Sequence, residues 1–234
     1  RYNGKTMCIP ELYYWCMPEE TRELAKKAGL LYCMQLFCRE ASEPGSAPSQ
    51  PRPETALIEA LPADELPPSN FPAILINCGG WRPYTDVQGR TWHVDTYYQG
   101  GNTENYYNFD TPIARTADQE LYKSERWGDF RYTIPLASNG TYQVILHQSE
   151  LFINDSDGRL FDVKMQGKSV FTDVNLCSLG FGQKFTALTI QTSQEVLVGT
   201  LVNEFVSQKN NAKVSGIEIR GPIDQSREAS NDVG

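Results

Sequence analysis

Residues 159–165 read Arg-Leu-Phe-Asp-Val-Lys-Met, so that Phe161, Val163 and Met165 alternate with Asp162 and Lys164. A period of two puts the three apolar side chains on one face of a strand and the two charged ones on the other, as in a sheet with one wet face. The same rhythm recurs on both sides of this run. Short apolar stretches (AILIN from Ala73, FRYTIP from Phe130, TYQVILHQ from Thr141, KFTALTIQT from Lys184, EVLVGTLV from Glu195, KVSGIEI from Lys213) are separated by Gly, Asn, Asp and Ser. Asn139-Gly140 and Gln166-Gly167 fall between such runs and predict hairpin turns. Strands this short and this numerous predict an all-β fold, a jelly-roll-like β-sandwich.

Toward the N-terminus the composition changes. From Met17 to Glu40, Pro18 and early acidic residues precede Leu24, Ala28, Leu31, Gln35 and Cys38 near helical spacing, which predicts an amphipathic helix ended or interrupted near Gly29. Eight of the 14 prolines fall between Pro44 and Pro72, the mark of an extended linker with at most one helical turn at TALIEAL. The expected organisation is a helical, cysteine-containing segment at 1–42, a proline-rich linker at 43–72, the sandwich at 73–221 and a polar tail at 222–234. Cys8, Cys16, Cys33 and Cys38 crowd the first segment without the close C-x2-C pair of common zinc modules, which leaves disulfides or free thiols open there.

With 234 residues, 40% of them hydrophobic, the chain can bury a substantial core. Its net charge of −8 and pI near 4.9 argue against binding a phosphate backbone, so no nucleic-acid partner is expected. The longest apolar stretch, Leu30 to Met34, is far short of the roughly 20 residues of a membrane helix. The chain opens on Arg1 with no signal-peptide pattern after it, and is read as a processed product or as a module of something larger. Glycosylation sequons at Asn139-Gly140-Thr141 and Asn154-Asp155-Ser156 lean toward a secretory or extracellular location, with a cytoplasmic one as the alternative.

Catalytic patterns are missing from the sequence. It contains only two histidines, His93 and His147, and no P-loop, GxGxxG, GxSxG or HExxH. His147 reads as an ordinary strand residue. Glu125, Glu150 and Asp162 are the candidate carboxylates for a glycosidase pair, but each is expected to be structural, Glu125 by pairing with a nearby arginine and Asp162 on its strand's polar face. Neither an enzymatic role nor a cofactor or metal is expected.

Between Tyr84 and Phe109 the chain interleaves Tyr84, Trp92, Tyr97, Tyr98, Tyr106, Tyr107 and Phe109 with Gly89, Gly100, Gly101, Asn102, Asn105 and Asn108. Glycine and asparagine break strands, and phenols need hydroxyl partners, so this mixture predicts a recognition loop rather than core. Aromatic faces can lie on the C–H face of a pyranose while amides and carboxylates hold its hydroxyls.

Five ordered blocks then match a known pattern: Ile76-Asn77-Cys78-Gly79-Gly80, Tyr84 to Gly89, Leu121 to Arg126, Phe161-Asp162-Val163 and Ser215 to Ile219. Together they resemble the malectin and malectin-like domain family. That resemblance implies a β-sandwich lectin module that binds oligosaccharide, including glucose-containing ones, without metal or hydrolysis. Position by position it implies sugar contacts at Trp127 after the Glu-Arg pair, at Phe152 and Ile153 after Ser149-Glu150, at Tyr106 or Tyr107 in the loop, and at Asn210 with Asn211 before the final strand. Ile153 departs from the family's second ring, and Asn210 replaces a carboxylate. The alternative is therefore a structural or protein-interaction module that keeps the fold without the sugar. The N-terminal segment lies outside the resemblance and is a candidate surface for a protein partner.

Overall fold

The computed structural model describes residues 58, 60–69, 71, 73–108, 110–153, 158–180 and 184–223. The expected N-terminal helix, its four cysteines, the sequon at Asn154 and the end of the tail lie outside these residues.

Phe161, Val163 and Met165 are fully buried on β8 (Leu160–Met165), while Asp162 and Lys164 stay partly exposed. Burial of each such apolar side chain stabilises by roughly 1.5–3 kcal/mol. The same alternation buries Phe130, Tyr132 and Ile134 on β6 (Ser124–Pro135). These strands belong to a sheet ordered β12-β6-β11-β8-β9, with β9 (Lys168–Val174), β11 (Thr200–Lys209) and β12 (Lys213–Val214). Opposite it lies a sheet ordered β1-β10-β7-β13-β2, built from β1 (Ala60–Pro62), β2 (Ala73–Asn77), β7 (Gly140–Ser149), β10 (Ala187–Val196) and β13 (Gly216–Arg220). The main core fills the space between them, with Val144, Leu146, Ile190, Ile217 and Ile219 facing Phe161, Val163 and Phe205. A small hairpin, β3 (Tyr84–Thr85) with β4 (Thr91–Trp92), and one short helix, α1 (Leu176–Leu179), complete the described elements of interest here.

β7 is buried on both faces, which explains its unbroken Val144-Ile145-Leu146 run. Its outer face carries His147, covered by a second cluster that includes Leu75, Trp92, Leu121 and Tyr122. The Tyr122 hydroxyl lies 2.8 Å from His147 Nδ1, and His147 Nε2 lies 3.3 Å from Glu218 Oε2. Arg90 and Arg220 also donate to Glu218, at 2.8 and 2.7 Å. Burial alone would raise the Glu218 carboxyl, but His147 and Arg220 bring it down to about 2.

Four sequence readings are corrected. Ala60–Pro62, placed in the linker by its proline, is a strand on β10 at the sheet edge, where a missing N–H costs no ladder bond. Tyr98–Asn105, read as part of a loop, is strand β5 paired with β6; it bulges at Gly100 and Gly101, both at positive φ, and all eight of its residues are exposed. Asn139-Gly140 is not a hairpin turn, because β6 and β7 lie in opposite sheets; the Gly199 amide instead donates to Asn139 Oδ1 at 2.9 Å. Glu125 pairs with Lys213 and not with an arginine, since the neighbouring Arg126 is committed to Asp95 at 2.8 Å. Gln166-Gly167 does join paired strands, β8 and β9, with both residues at positive φ.

Candidate functional site

Two stretches of backbone, residues 77–80 and the start of β6, meet at one end of the sandwich. Gly79, at φ +72, packs so closely on β6 that an added Cβ would lie 2.1 Å from the Glu125 carbonyl oxygen. The Gly79 amide donates to Asp95 at 2.8 Å, and Asp95 also accepts from Arg126 and from the Tyr132 hydroxyl at 2.7 Å. Ser124 donates to Asn77 at 2.7 Å. The Asn-Cys-Gly-Gly and Ser-Glu-Arg blocks are thus two halves of one joint, which holds the start of β6 and hence Trp127. Trp127 is half-buried, and among the described residues its side chain makes no hydrogen bond or ring contact.

The turn after β7 is held by a carboxylate. Glu150 Oε1 accepts from the amides of Phe152 at 2.9 Å and Ile153 at 3.1 Å, while Oε2 accepts from Arg159 Nε at 2.6 Å. Arg159 also donates to the Asn211 carbonyl, and Asn210 Nδ2 donates to Gly158 O at 2.7 Å. Burial would raise the Glu150 carboxyl, but Arg159, the Lys213 charge and the Phe152 amide hold it below its ordinary value. One ion pair therefore fixes the positions of Phe152, Ile153, Asn210 and Asn211 together.

Among the expected site residues, Tyr106 and Phe152 touch directly, edge to face with ring centres 4.9 Å apart. Phe152 is exposed, and Ile153 is half-buried with its carbonyl accepting from the Cys177 thiol at 3.1 Å. Tyr107 turns toward Arg82, whose guanidinium lies 5.3 Å from its ring centre. Asn210 and Asn211 are exposed, Asn210 at φ +57.

Beside Phe152 opens a groove of about 560 Å³ lined by Asn108, Asp110, Thr111, Leu151, Lys184 and Phe185. Phe152 is the one expected site residue in its wall. Asn108 belongs to the stretch read as a recognition loop, whereas Asp110, Thr111, Leu151, Lys184 and Phe185 escaped the sequence reading, because the lining comes from three segments far apart in the chain. The three carboxylates weighed for glycosidase chemistry are engaged elsewhere: Glu125 with Lys213, Glu150 with Arg159, and Asp162 with the Asp173 amide and Gln208 Nε2. Among the described residues, no group of three or more His, Cys, Asp or Glu side chains converges to hold a metal, and no helix is long and apolar enough to cross a membrane.

Residues 73–226, most of the chain, match the family model for the Malectin domain. The chain belongs to the malectin-domain family. Malectin-B of Xenopus laevis is 27% identical to it over 160 residues, which cover 62% of this chain and 58% of that protein. Malectin of Homo sapiens is 26% identical over 166 residues, covering 64% and 56%. The chain thus spans under two thirds of the length of these relatives. In fold, this malectin domain is similar to the ANXUR2 extracellular domain of Arabidopsis thaliana, with a TM-score of 0.57 and 16% identity over 65% of this chain and 49% of that one. It is also similar to part of a Bacteroides uniformis β-glucuronidase, with a TM-score of 0.55 and 21% identity over 64% of this chain and 18% of that enzyme.

Proposed function

We propose that this malectin domain is a non-catalytic carbohydrate-binding module of a larger or processed protein in the secretory pathway or outside the cell. The observation that carries this reading is the Tyr106–Phe152 ring pair at the edge of a groove whose other wall offers Asn108, Asp110, Thr111 and Lys184. Rings supply faces for the apolar side of a pyranose, and the amide, carboxylate, hydroxyl and ammonium groups supply its hydroxyl partners. Trp127, which the family resemblance assigns to sugar stacking and whose side chain has no hydrogen-bond or ring partner among the described residues, is proposed as a third ring. The Glu150–Arg159 pair pre-sets Phe152 and the Asn210 turn, which lowers the ordering cost of binding.

Two observations favour the alternative, a structural or protein-interaction module. Ile153 carries no ring, and the Asn210 amide is already spent on Gly158 O. A protein partner of the N-terminal segment belongs to that reading.

Titration of glucan and mannan oligosaccharides into the full chain, wild type beside Trp127→Ala, separates the two. A stacked ring contributes on the order of 1 kcal/mol, so the carbohydrate reading expects binding weakened about fivefold or more in the variant. A folded wild type that binds none of the panel would favour the interaction module.

A further inference from the structure

Trp81 is 68% exposed, far more than a large aromatic side chain needs to be in a core-forming loop. Its mount is rigid: Gly79 is pinned against β6, and a Cβ on Gly80 would lie 2.2 Å from the Asn77 side chain, so the backbone entering Trp81 has little room to shift. The Arg82 guanidinium stands between two rings, 5.4 Å from the centre of Trp81 and 5.3 Å from that of Tyr107, and is braced by Glu120 at 3.2 Å. Tyr107 is flanked in the chain by Tyr106, which packs on Phe152, and by Asn108, which lines the groove. Aromatic and polar side chains thus continue from Phe152 through Tyr106 and Tyr107 to Arg82 and Trp81.

We infer that Trp81, Arg82 and Tyr107 form an outer subsite that takes the further units of an oligosaccharide whose end occupies the groove beside Phe152. The inference rests on the carbohydrate reading and adds a length requirement to it. Trp81 and Tyr107 present ring faces to pyranose C–H groups, while the Arg82 guanidinium donates to hydroxyls and the Glu120 carboxylate accepts from them. Each contact made only by a longer chain raises affinity for that chain and leaves a disaccharide unaffected.

The test uses the full chain and pairs of a disaccharide and its hexasaccharide from α-glucan, β-glucan and mannan, titrated by calorimetry into wild type, Trp81→Ala and Phe152→Ala. Both substituted side chains are exposed, and thermal unfolding checks that the variants remain folded. The expected result is a hexasaccharide preference in wild type that Trp81→Ala reduces about fivefold with disaccharide affinity unchanged, whereas Phe152→Ala weakens both ligands. Equal hexasaccharide binding by wild type and Trp81→Ala overturns the outer subsite while leaving the carbohydrate reading in place. An equal loss for both ligands in Trp81→Ala overturns it as well, since Trp81 then belongs to the groove itself. Absence of binding to every member by wild type overturns both readings together.

Discussion

Glu150 and Arg159, nine positions apart in sequence, form a buried ion pair at 2.6 Å that ties the turn after β7 to the Asn210–Asn211 turn. Glu150 uses its other oxygen to hold the amides of Phe152 and Ile153, so neither turn is set by its own local sequence alone.

Glu150→Gln leaves the Arg159 guanidinium buried without its counter-charge. Breaking one partner of such a pair costs about 3–5 kcal/mol, measurable as a lower urea midpoint with an unchanged slope. Loss of oligosaccharide affinity is expected alongside it, in conditions where the variant is still folded.

Glu218 contributes to the acid limit of stability. Its carboxyl is held at about 2 against an ordinary value of 4.5, so folding favours the charged form. The stabilisation is fully present above the ordinary value and is lost as pH falls through the folded one, an effect on the order of 3 kcal/mol. Urea unfolding between about pH 5 and pH 2 is expected to show this loss in wild type, and Glu218→Gln is expected to flatten it.

Gly79 and Gly89 both have positive φ, at +72 and +77, but only Gly79 faces backbone where a Cβ would go. Gly89→Ala is expected to cost the backbone term alone, roughly 1–2 kcal/mol. Gly79→Ala adds the collision with Glu125, about a further 1–3 kcal/mol, and chemical unfolding of the two variants side by side measures the difference.

Much of the sandwich was legible because its buried faces write a period-two pattern, as at Phe161, Val163 and Met165. Strand β5 was not, since all eight of its residues are exposed and no face demands apolar side chains. Strand β9 was legible only through the Gln166-Gly167 turn, which calls for a strand after it, because its pairing with β8 shifts register at both ends of Val163 and scrambles the alternation of Val170, Phe171 and Val174. Tyr106 and Phe152, both expected as site residues from the ordered blocks around them, come into ring contact in the structure. The groove was not, because Asn108 and Lys184 are brought to one opening by tertiary packing that no local pattern encodes. Arg159 escaped as a positioning residue because its role exists only through Glu150 and Asn211.

The central claim, that this end of the sandwich is a carbohydrate site, is tested most directly by mapping amide chemical-shift changes while the oligosaccharide panel is titrated into the isotopically labelled full chain. The account predicts saturable shifts at 106–111, 126–128, 150–153 and 210–212, with the opposite end of β7 near Gly140 unchanged. A folded chain with no saturable shifts for any sugar, or with shifts confined to surfaces away from Tyr106 and Phe152, would contradict it.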